Sequence, residues 1–259
     1  MKIAFIGTGN MGGALAKAAS KVPENELLLV NRHPEKASRL QTEIGGTVVD
    51  HAAAISAADM IFLGVKPVML QGLCDVIRPM LSARAGHFVI VSMVAGVSVA
   101  SLQSSLGAPY PVIRIMPNTP VSVGEGMVLY TCSPEVTSDD LESFLSAMQH
   151  GGRFMPIEER LMGAGMAVSG CGPAYVDLFV EALADAAVAC GLYRKDAIEL
   201  AAQMVLGSAK LILESGKHPG ELKDAVCSPG GTTIQGVRAL ESHAFRSAVM
   251  EAVFAAYNA

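Results

Sequence analysis

The sequence predicts an α/β protein, with a doubly wound, mostly parallel sheet in its N-terminal part and an all-helical C-terminal domain. Three observations carry the prediction. Short apolar runs, often β-branched, recur through the first half with helix-compatible segments between them, as in a parallel sheet with right-handed crossovers. A glycine-rich turn joins the first run to the first helical segment. After Ile157 the strand signals stop, and helical composition dominates to the end of the chain.

Lys2–Ile6, Leu27–Val30, Met60–Val65, Phe88–Met93 and Val112–Met116 read as buried strands because each is short, apolar and bounded by Gly, Pro or polar residues. Met11–Lys21, rich in alanine, is the helix between the first two. Gly126–Thr131, a helix from about 138 to 150, and Arg153–Ile157 extend the sheet. In the second half Pro173 starts a long helix that runs to about Cys190, with Gly191 as its stop. Another spans roughly Arg194 to Glu214 and stops at Ser215-Gly216, a short one follows Pro219, and a fourth starts after Pro229-Gly230-Gly231. The domain boundary falls near residue 155, giving domains over 1–155 and 156–259 with no linker-like stretch between them. The helix from Ala174 to Cys190 is polar only along Asp177, Glu181 and Asp185 and is alanine-rich elsewhere. It reads as buried on most sides, either inside a single helical domain or, as the sharper expectation, in a subunit interface.

Composition narrows the class. Hydrophobic residues make up 51% and charged residues 17% of 259, so the chain buries much apolar surface and disorder is not expected. A net charge of −5 offers no broad basic face to nucleic acid. Five cysteines without paired spacing and six scattered histidines argue against disulfide scaffolding and against a metal site, and fit a reducing cytoplasm. Only four apolar residues separate Lys2 from Gly7, too few for a secretory signal. The most apolar stretch, Phe88 to Ala100, is interrupted by Ser92, Gly96 and Ser98 and is too short to span a bilayer.

Gly7-Thr8-Gly9-Asn10-Met11-Gly12 follows a strand and opens a helix, the setting of a Rossmann-like dinucleotide site. Gly7 permits the tight turn, Gly9 lets the backbone approach a pyrophosphate, and Gly12 lets helix and strand pack closely. Phosphates sit over the free amides at the helix start. The second strand ends at Asn31-Arg32, where sites that prefer NAD carry an acidic residue. A neutral donor and a guanidinium suit a 2′-phosphate, so NADP (NADPH) is the expected cofactor, with NAD the alternative. Lys66, in Val65-Lys66-Pro67, stands at the carboxyl end of a strand and is expected to face cofactor rather than only solvent. Met93 to Ala95 ends the next strand and can offer backbone groups to the nicotinamide amide. Pro117 and Pro120 stiffen the loop after the strand that ends at Met116.

In the helical half, Ser228-Pro229-Gly230-Gly231-Thr232-Thr233 builds a glycine loop feeding a helix start. Uncapped amides there can hold a small carboxylate, with the threonine hydroxyls as further donors; an ordinary helix cap explains the spacing equally well.

Taken in order, the glycine fingerprint at 7–12, Val65-Lys66-Pro67, Met116-Pro117-Asn118-Thr119-Pro120, Ser169-Gly170-Cys171-Gly172-Pro173-Ala174-Tyr175 and Ser228 to Thr233 make the chain resemble pyrroline-5-carboxylate reductase over essentially its whole length. The resemblance implies reduction of 1-pyrroline-5-carboxylate to L-proline with hydride from NAD(P)H, the last step of proline biosynthesis. It implies that Gly7, Thr8, Gly9, Asn10, Met11, Asn31, Arg32, Val65, Lys66, Pro67, Met93 and Ala95 contact the cofactor. It also implies that Ser228, Gly231, Thr232 and Thr233 hold substrate, with the Thr233 hydroxyl near the ring nitrogen as the catalytic contact. A homodimer built through the helical domain, or a larger homo-oligomer, follows from it as well. His51 departs from the asparagine common in the family at an adenine-ribose contact, and Glu159 matches a family carboxylate near the site. The rival within enzymes is a related two-domain reductase of the β-hydroxyacid dehydrogenase type, or a reductase of another cyclic imine. The dehydrogenases need a lysine on the long interdomain helix, and the helix beginning at Pro173 has none before Lys195. A dinucleotide-sensing regulator is the non-enzyme rival.

Overall fold

Alternation along the strands builds the first part of the molecule. In β1 (Lys2–Ile6) Ile3 and Phe5 face one layer while Ala4 and Ile6 face the other, and all four are buried. A strand apolar on both faces is stable only between two helical layers. β2 (Glu26–Val30), β4 (Met60–Leu63), β5 (Val89–Ser92) and β6 (Val112–Met116) repeat the pattern. With β3 (Thr47–Val48), β7 (Gly126–Cys132) and β8 (Gly152–Pro156), the computed structural model, which describes residues 1–259, places eight strands in one sheet, in the order β3-β2-β1-β4-β5-β6-β7-β8. Every pairing is parallel except that between β6 and β7 (Gly126–Cys132).

On one face α1 (Asn10–Ala19), α2 (Pro34–Ile44) and α6 (Ser138–Ala147) cover the sheet through Leu15, Leu40 and Phe144. On the other, α3 (His51–Ala57), α4 (Pro67–Ala83) and α5 (Val99–Leu106) cover it through Ile55, Ile77 and Leu102. Phe62 lies at the centre of the first layer, stacked on Phe5 at 4.5 Å between ring centroids and tilted against Phe144 at 6.3 Å. The chain crosses from β1 to β2 on one side and to β4 on the other, so the crevice at their carboxyl ends is the topological switch point where ligands of such sheets bind.

The structure departs from the sequence reading in four places. β4 ends at Leu63 and β5 at Ser92, earlier than the apolar runs imply, because the residues that follow turn out of the sheet. β3 (Thr47–Val48) is a two-residue edge strand, too short to leave a periodic signal. The chain divides into compact units at 1–170 and 171–259, rather than at 155/156. Residues 157–170 follow β8 (Gly152–Pro156) yet pack on the sheet: Met162, at the start of α7 (Met162–Gly165), is buried against Met116 and Leu129. A Cβ on Gly165 would stand 2.3 Å from Leu129 Cδ1, so that short helix lies directly on β7. A π-helical turn over Met166–Gly170 ends the unit.

The second unit holds α8 (Gly172–Ala189), α9 (Arg194–Ser215), α10 (Pro219–Val226), α11 (Thr232–Ser242) and α12 (Phe245–Tyr257). The fourth departure is here: the last helical stretch is two helices, broken at Ala244, whose φ of 56° puts a non-glycine residue in the left-handed region. His243 Nδ1 lies 2.9 Å from the Ala239 carbonyl at that break, a local cap that no Gly or Pro announces. α8 and α12 meet through Tyr175, whose hydroxyl donates to the Ala252 carbonyl at 3.2 Å, and through Phe179 and Phe245. Within one chain only Ala184, Ala197 and Ala201 of this unit are buried, and Leu178, Leu200, Leu206, Leu213 and Phe254 are more than half exposed.

Candidate functional site

The glycine loop after β1 is set by close backbone contacts. Gly7 has φ +102°, and a Cβ there would lie 2.5 Å from the Gly64 carbonyl oxygen, so β1 and the end of β4 meet backbone to backbone. A Cβ on Gly12 would stand 2.0 Å from the Gly7 carbonyl oxygen, which is why α1 needs glycine one turn in. Gly9 is different: no protein atom lies within 4 Å of where its Cβ would be. That glycine answers to no packing demand and leaves an open approach to the first amides of α1, whose N-cap is Gly9 with no side-chain cap. Beside it runs a groove of about 720 Å³, bordered by the loop, the end of β2 and the start of α4. An open glycine face, uncapped amides and a long groove fit a nicotinamide dinucleotide.

At the end of β2 the two predicted contacts divide their work. Asn31 Nδ2 donates to Thr8 Oγ1 at 2.8 Å and Asn31 Oδ1 accepts from the His33 amide at 3.0 Å. Thr8 is buried. Both side chains therefore brace the loop against β2, and what Thr8 can present to a ligand is backbone. Arg32 is exposed on the groove, and so is Lys36, in the first turn of α2. Glu35 between them faces His33, with Oε1 3.5 Å from Nδ1, and leaves the two cations free of a carboxylate partner there. Lys36 escaped the sequence reading; its place in the first turn of the helix that follows Arg32 was the only signal.

His51 is the first residue of α3, after an N-cap in which Asp50 Oδ1 accepts from the Ala53 amide at 2.8 Å. It borders the groove, and burial pulls its pKa below the ordinary histidine value against the opposing pull of Asp50, so the ring is neutral at neutral pH. Lys66 is the exposed N-cap of α4, between half-buried Val65 and exposed Pro67. The groove wall past it is apolar: Val68 is 90% exposed and Met69, Leu73 and Val76 follow at helical spacing. The sequence reading missed that wall as well, and apolar residues at 68, 69, 73 and 76, spaced for one helix face, were its only sign.

After β5 the chain passes over Gly64, where a Cβ would sit 3.3 Å from Met93 Sδ. Val94 is buried, while Ala95 and Gly96 are exposed, with φ +73° at Gly96. Ser98 then caps α5 by accepting from the Ser101 amide at 3.1 Å. Glu159 Oε1 accepts from the Val99 amide at 2.7 Å and from Arg114 Nη1 at 2.8 Å. The carboxylate that the resemblance puts near the site thus joins α5 to β6. Asn118, in the proline-stiffened loop, donates to the Ser169 carbonyl at 3.0 Å and accepts from the Met127 amide at 2.9 Å.

The second group of residues lies in the helical unit. Gly230 has φ +71°, and the Gly231 amide donates to the Ser228 carbonyl at 3.0 Å, closing a tight turn. The positive φ makes glycine the residue for position 230, while a Cβ on Gly231 would crowd Ser228 Oγ at 2.3 Å and the Ser228 carbonyl oxygen at 3.2 Å. Gly231 is the N-cap of α11 and offers no side chain, which leaves the first amides of the helix open; Ser228, Thr232 and Thr233 are exposed around them. Both predicted ligand sites are thus helix starts with a glycine N-cap, whereas α3, α5 and α6 are capped by Asp50, Ser98 and Thr137 side chains. All five cysteines are free, no cluster of His, Cys, Asp and Glu is arranged to hold a metal ion, and no helix is long and apolar enough to cross a membrane.

Comparison with known proteins gives one family match in each part of the chain, the second beginning within the first compact unit. A family described as pyrroline-5-carboxylate reductase dimerisation matches residues 159–259, and one described as NADP oxidoreductase, coenzyme F420-dependent, matches residues 2–96. The chain is 42% identical over 257 residues to pyrroline-5-carboxylate reductase of Escherichia coli, covering 97% of this chain and 94% of that protein. It is 39% identical over 260 residues to that of Methanosarcina acetivorans, covering 98% and 95%. Among solved structures, pyrroline carboxylate reductase of Plasmodium falciparum with NADP bound superposes with a TM-score of 0.88 at 31% identity, covering 100% of this chain and 96% of that one. The Coxiella burnetii pyrroline-5-carboxylate reductase gives 0.88 at 32% identity, covering 99% and 96%.

Proposed function

The chain belongs to the pyrroline-5-carboxylate reductase family, and from that premise we propose that it reduces 1-pyrroline-5-carboxylate to L-proline with NADPH as the preferred donor. The observation that carries this reading is the pair of helix starts, α1 and α11, each with a glycine N-cap and amides that no side chain of the protein occupies. One suits a pyrophosphate and the other a small carboxylate.

A reduced dinucleotide at the first supplies a hydride. The chain's own work is binding and alignment. The amides of Thr232 and Thr233, with the Ser228 and Thr232 hydroxyls, hold the substrate carboxylate. The Thr233 hydroxyl bonds the ring nitrogen. The imine is protonated to an iminium, a ready hydride acceptor, and its carbon takes the hydride while the nitrogen keeps the proton as a secondary amine. No strong internal acid is required, and the rate gain comes from holding two ligands in register. Arg32 and Lys36 favour the 2′-phosphate of NADP, since a guanidinium and an ammonium face the groove without an acidic residue at the end of β2. His51, neutral, and Val65 to Pro67 border the adenosine part, and Met93 and Ala95 the nicotinamide part.

The dimerisation match over 159–259 and the bare apolar faces of α8, α9 and α12 support a homodimer, or a larger homo-oligomer, built through the helical unit. The direct test is a steady-state assay of imine-dependent oxidation of NADPH and of NADH. A higher kcat/KM with NADPH is expected; oxidation that does not depend on the imine removes the proposed substrate.

A further inference from the structure

The geometry points to Glu159 as a positioning residue for the loop between β5 and α5. This assignment rests on the reading that Met93 to Ala95 borders the nicotinamide. β6 is buried along its whole length, yet carries Arg114, whose side chain is only 10% exposed. A guanidinium in such a strand is tolerated only when its charge is met. The Arg114 Nε has no hydrogen-bond partner, and the charge is met at Nη1 by Glu159 alone. The same carboxylate oxygen accepts the Val99 amide, the first of α5, which the Ser98 cap leaves free because it serves Ser101. A helix start and a buried cation therefore converge on one oxygen.

The consequence falls on the intervening loop. Its near end is fixed where the Met93 amide donates to the Leu63 carbonyl at 3.2 Å, and its far end where Glu159 holds Val99. Between them Gly96 makes the turn at φ +73°, and Ala95 and Gly96 stand exposed with their backbone groups. Without Glu159 the far end is released, and the backbone facing the reacting ring loses its fixed place.

Two variants separate this role from support of the fold. Glu159→Gln keeps the shape but weakens both contacts. Val99→Pro removes the amide that Glu159 accepts, leaves the Arg114 pair intact, and puts proline where a helix start favours it, after an extended residue; Val99→Ala, which trims the same buried side chain but keeps the amide, is its control. Both should lower kcat by about 10-fold at saturating substrates, the scale of small misplacements of a reacting group. Both should raise the isotope effect with 4-deuterated NADPH and barely move the NADPH dissociation constant. Hydrogen exchange over residues 93–97 should quicken in each. Unchanged exchange in Val99→Pro overturns the pinning, and quicker exchange with unchanged kcat overturns its role in the reaction. Losses in kcat, NADPH affinity and thermal stability of equal size would mark Glu159 as structural. Should Glu159→Gln fail to fold, Val99→Pro decides alone. A wild-type protein without imine-dependent oxidation sinks the functional reading, while the exchange result still judges the pinning.

Discussion

Thr233 and Arg32 are single side chains whose removal separates the two ligands. Thr233→Val keeps the shape and deletes the hydroxyl, so turnover should fall by about 10- to 1000-fold, as for a lost positioned donor. NADPH affinity by fluorescence titration should hardly change. Near-normal turnover in this variant would leave Thr233 as a helix residue only, with recognition resting on the amides. Arg32→Ala should raise the NADPH KM by roughly 10-fold, the scale of one charge-assisted contact, and spare NADH. An equal rise for both would make Arg32 structural. At this scale the sequence was legible where backbone demands a residue type, as at Gly7 and Gly12, because a Cβ at each meets a backbone atom closer than 3 Å. It was less legible at Asn31, whose side-chain carbonyl meets the nearby His33 amide and whose side-chain amide turns inward to Thr8, a partner 23 residues away in sequence.

Helix α6 illustrates an element held by its own first turn. Thr137 Oγ1 accepts from the Asp140 amide at 3.1 Å, and Asp140 Oδ2 accepts from the Thr137 amide at 2.9 Å, a reciprocal capping box. Asp140 Oδ1 also meets His87 Nε2 at 2.6 Å. Burial pushes the Asp140 carboxyl up, but the Thr137 amide and His87 together more than reverse this and hold it below its ordinary value of 3.8. A depressed carboxyl stabilises the fold fully above that value and loses its contribution as pH falls through the folded pKa. Asp140→Asn should therefore cost about 1 kcal/mol at neutral pH, with the gap to wild type closing in acid. Urea unfolding at several pH values checks this, and a gap that is constant with pH counts against it. In the layer beneath, Phe62→Ala should cost about 3–5 kcal/mol by the same measurement, the usual range for a fully buried ring.

At the scale of the molecule, the helical unit has almost no core of its own within one chain. α8 buries only Ala184, and its carboxylate stripe of Asp177, Glu181 and Asp185 lies in an otherwise apolar and alanine-rich surface. Small side chains along a helix permit close approach of another, and the expected partner is a second copy. Ala182→Glu or Val188→Glu should give monomers or insoluble protein, read by light scattering. A wild-type monomer at micromolar concentration would overturn the interface.

The sequence by itself determined the alternating strands and helices, the glycine turns at both helix starts and the family. Those features are local: each follows from side-chain period, from φ, or from the room beside a backbone atom. Only the tertiary structure decided that residues 157–170 pack on the sheet, that Lys36 and the Val68 face border the groove beside the glycine loop, and that Glu159 joins Val99 to Arg114. These depend on contacts between segments far apart in the chain, and nothing in the spacing of 99, 114 and 159 encodes their meeting. A buried arginine needs a carboxylate, but which one reaches it is settled by the packing of the strands and helices around it.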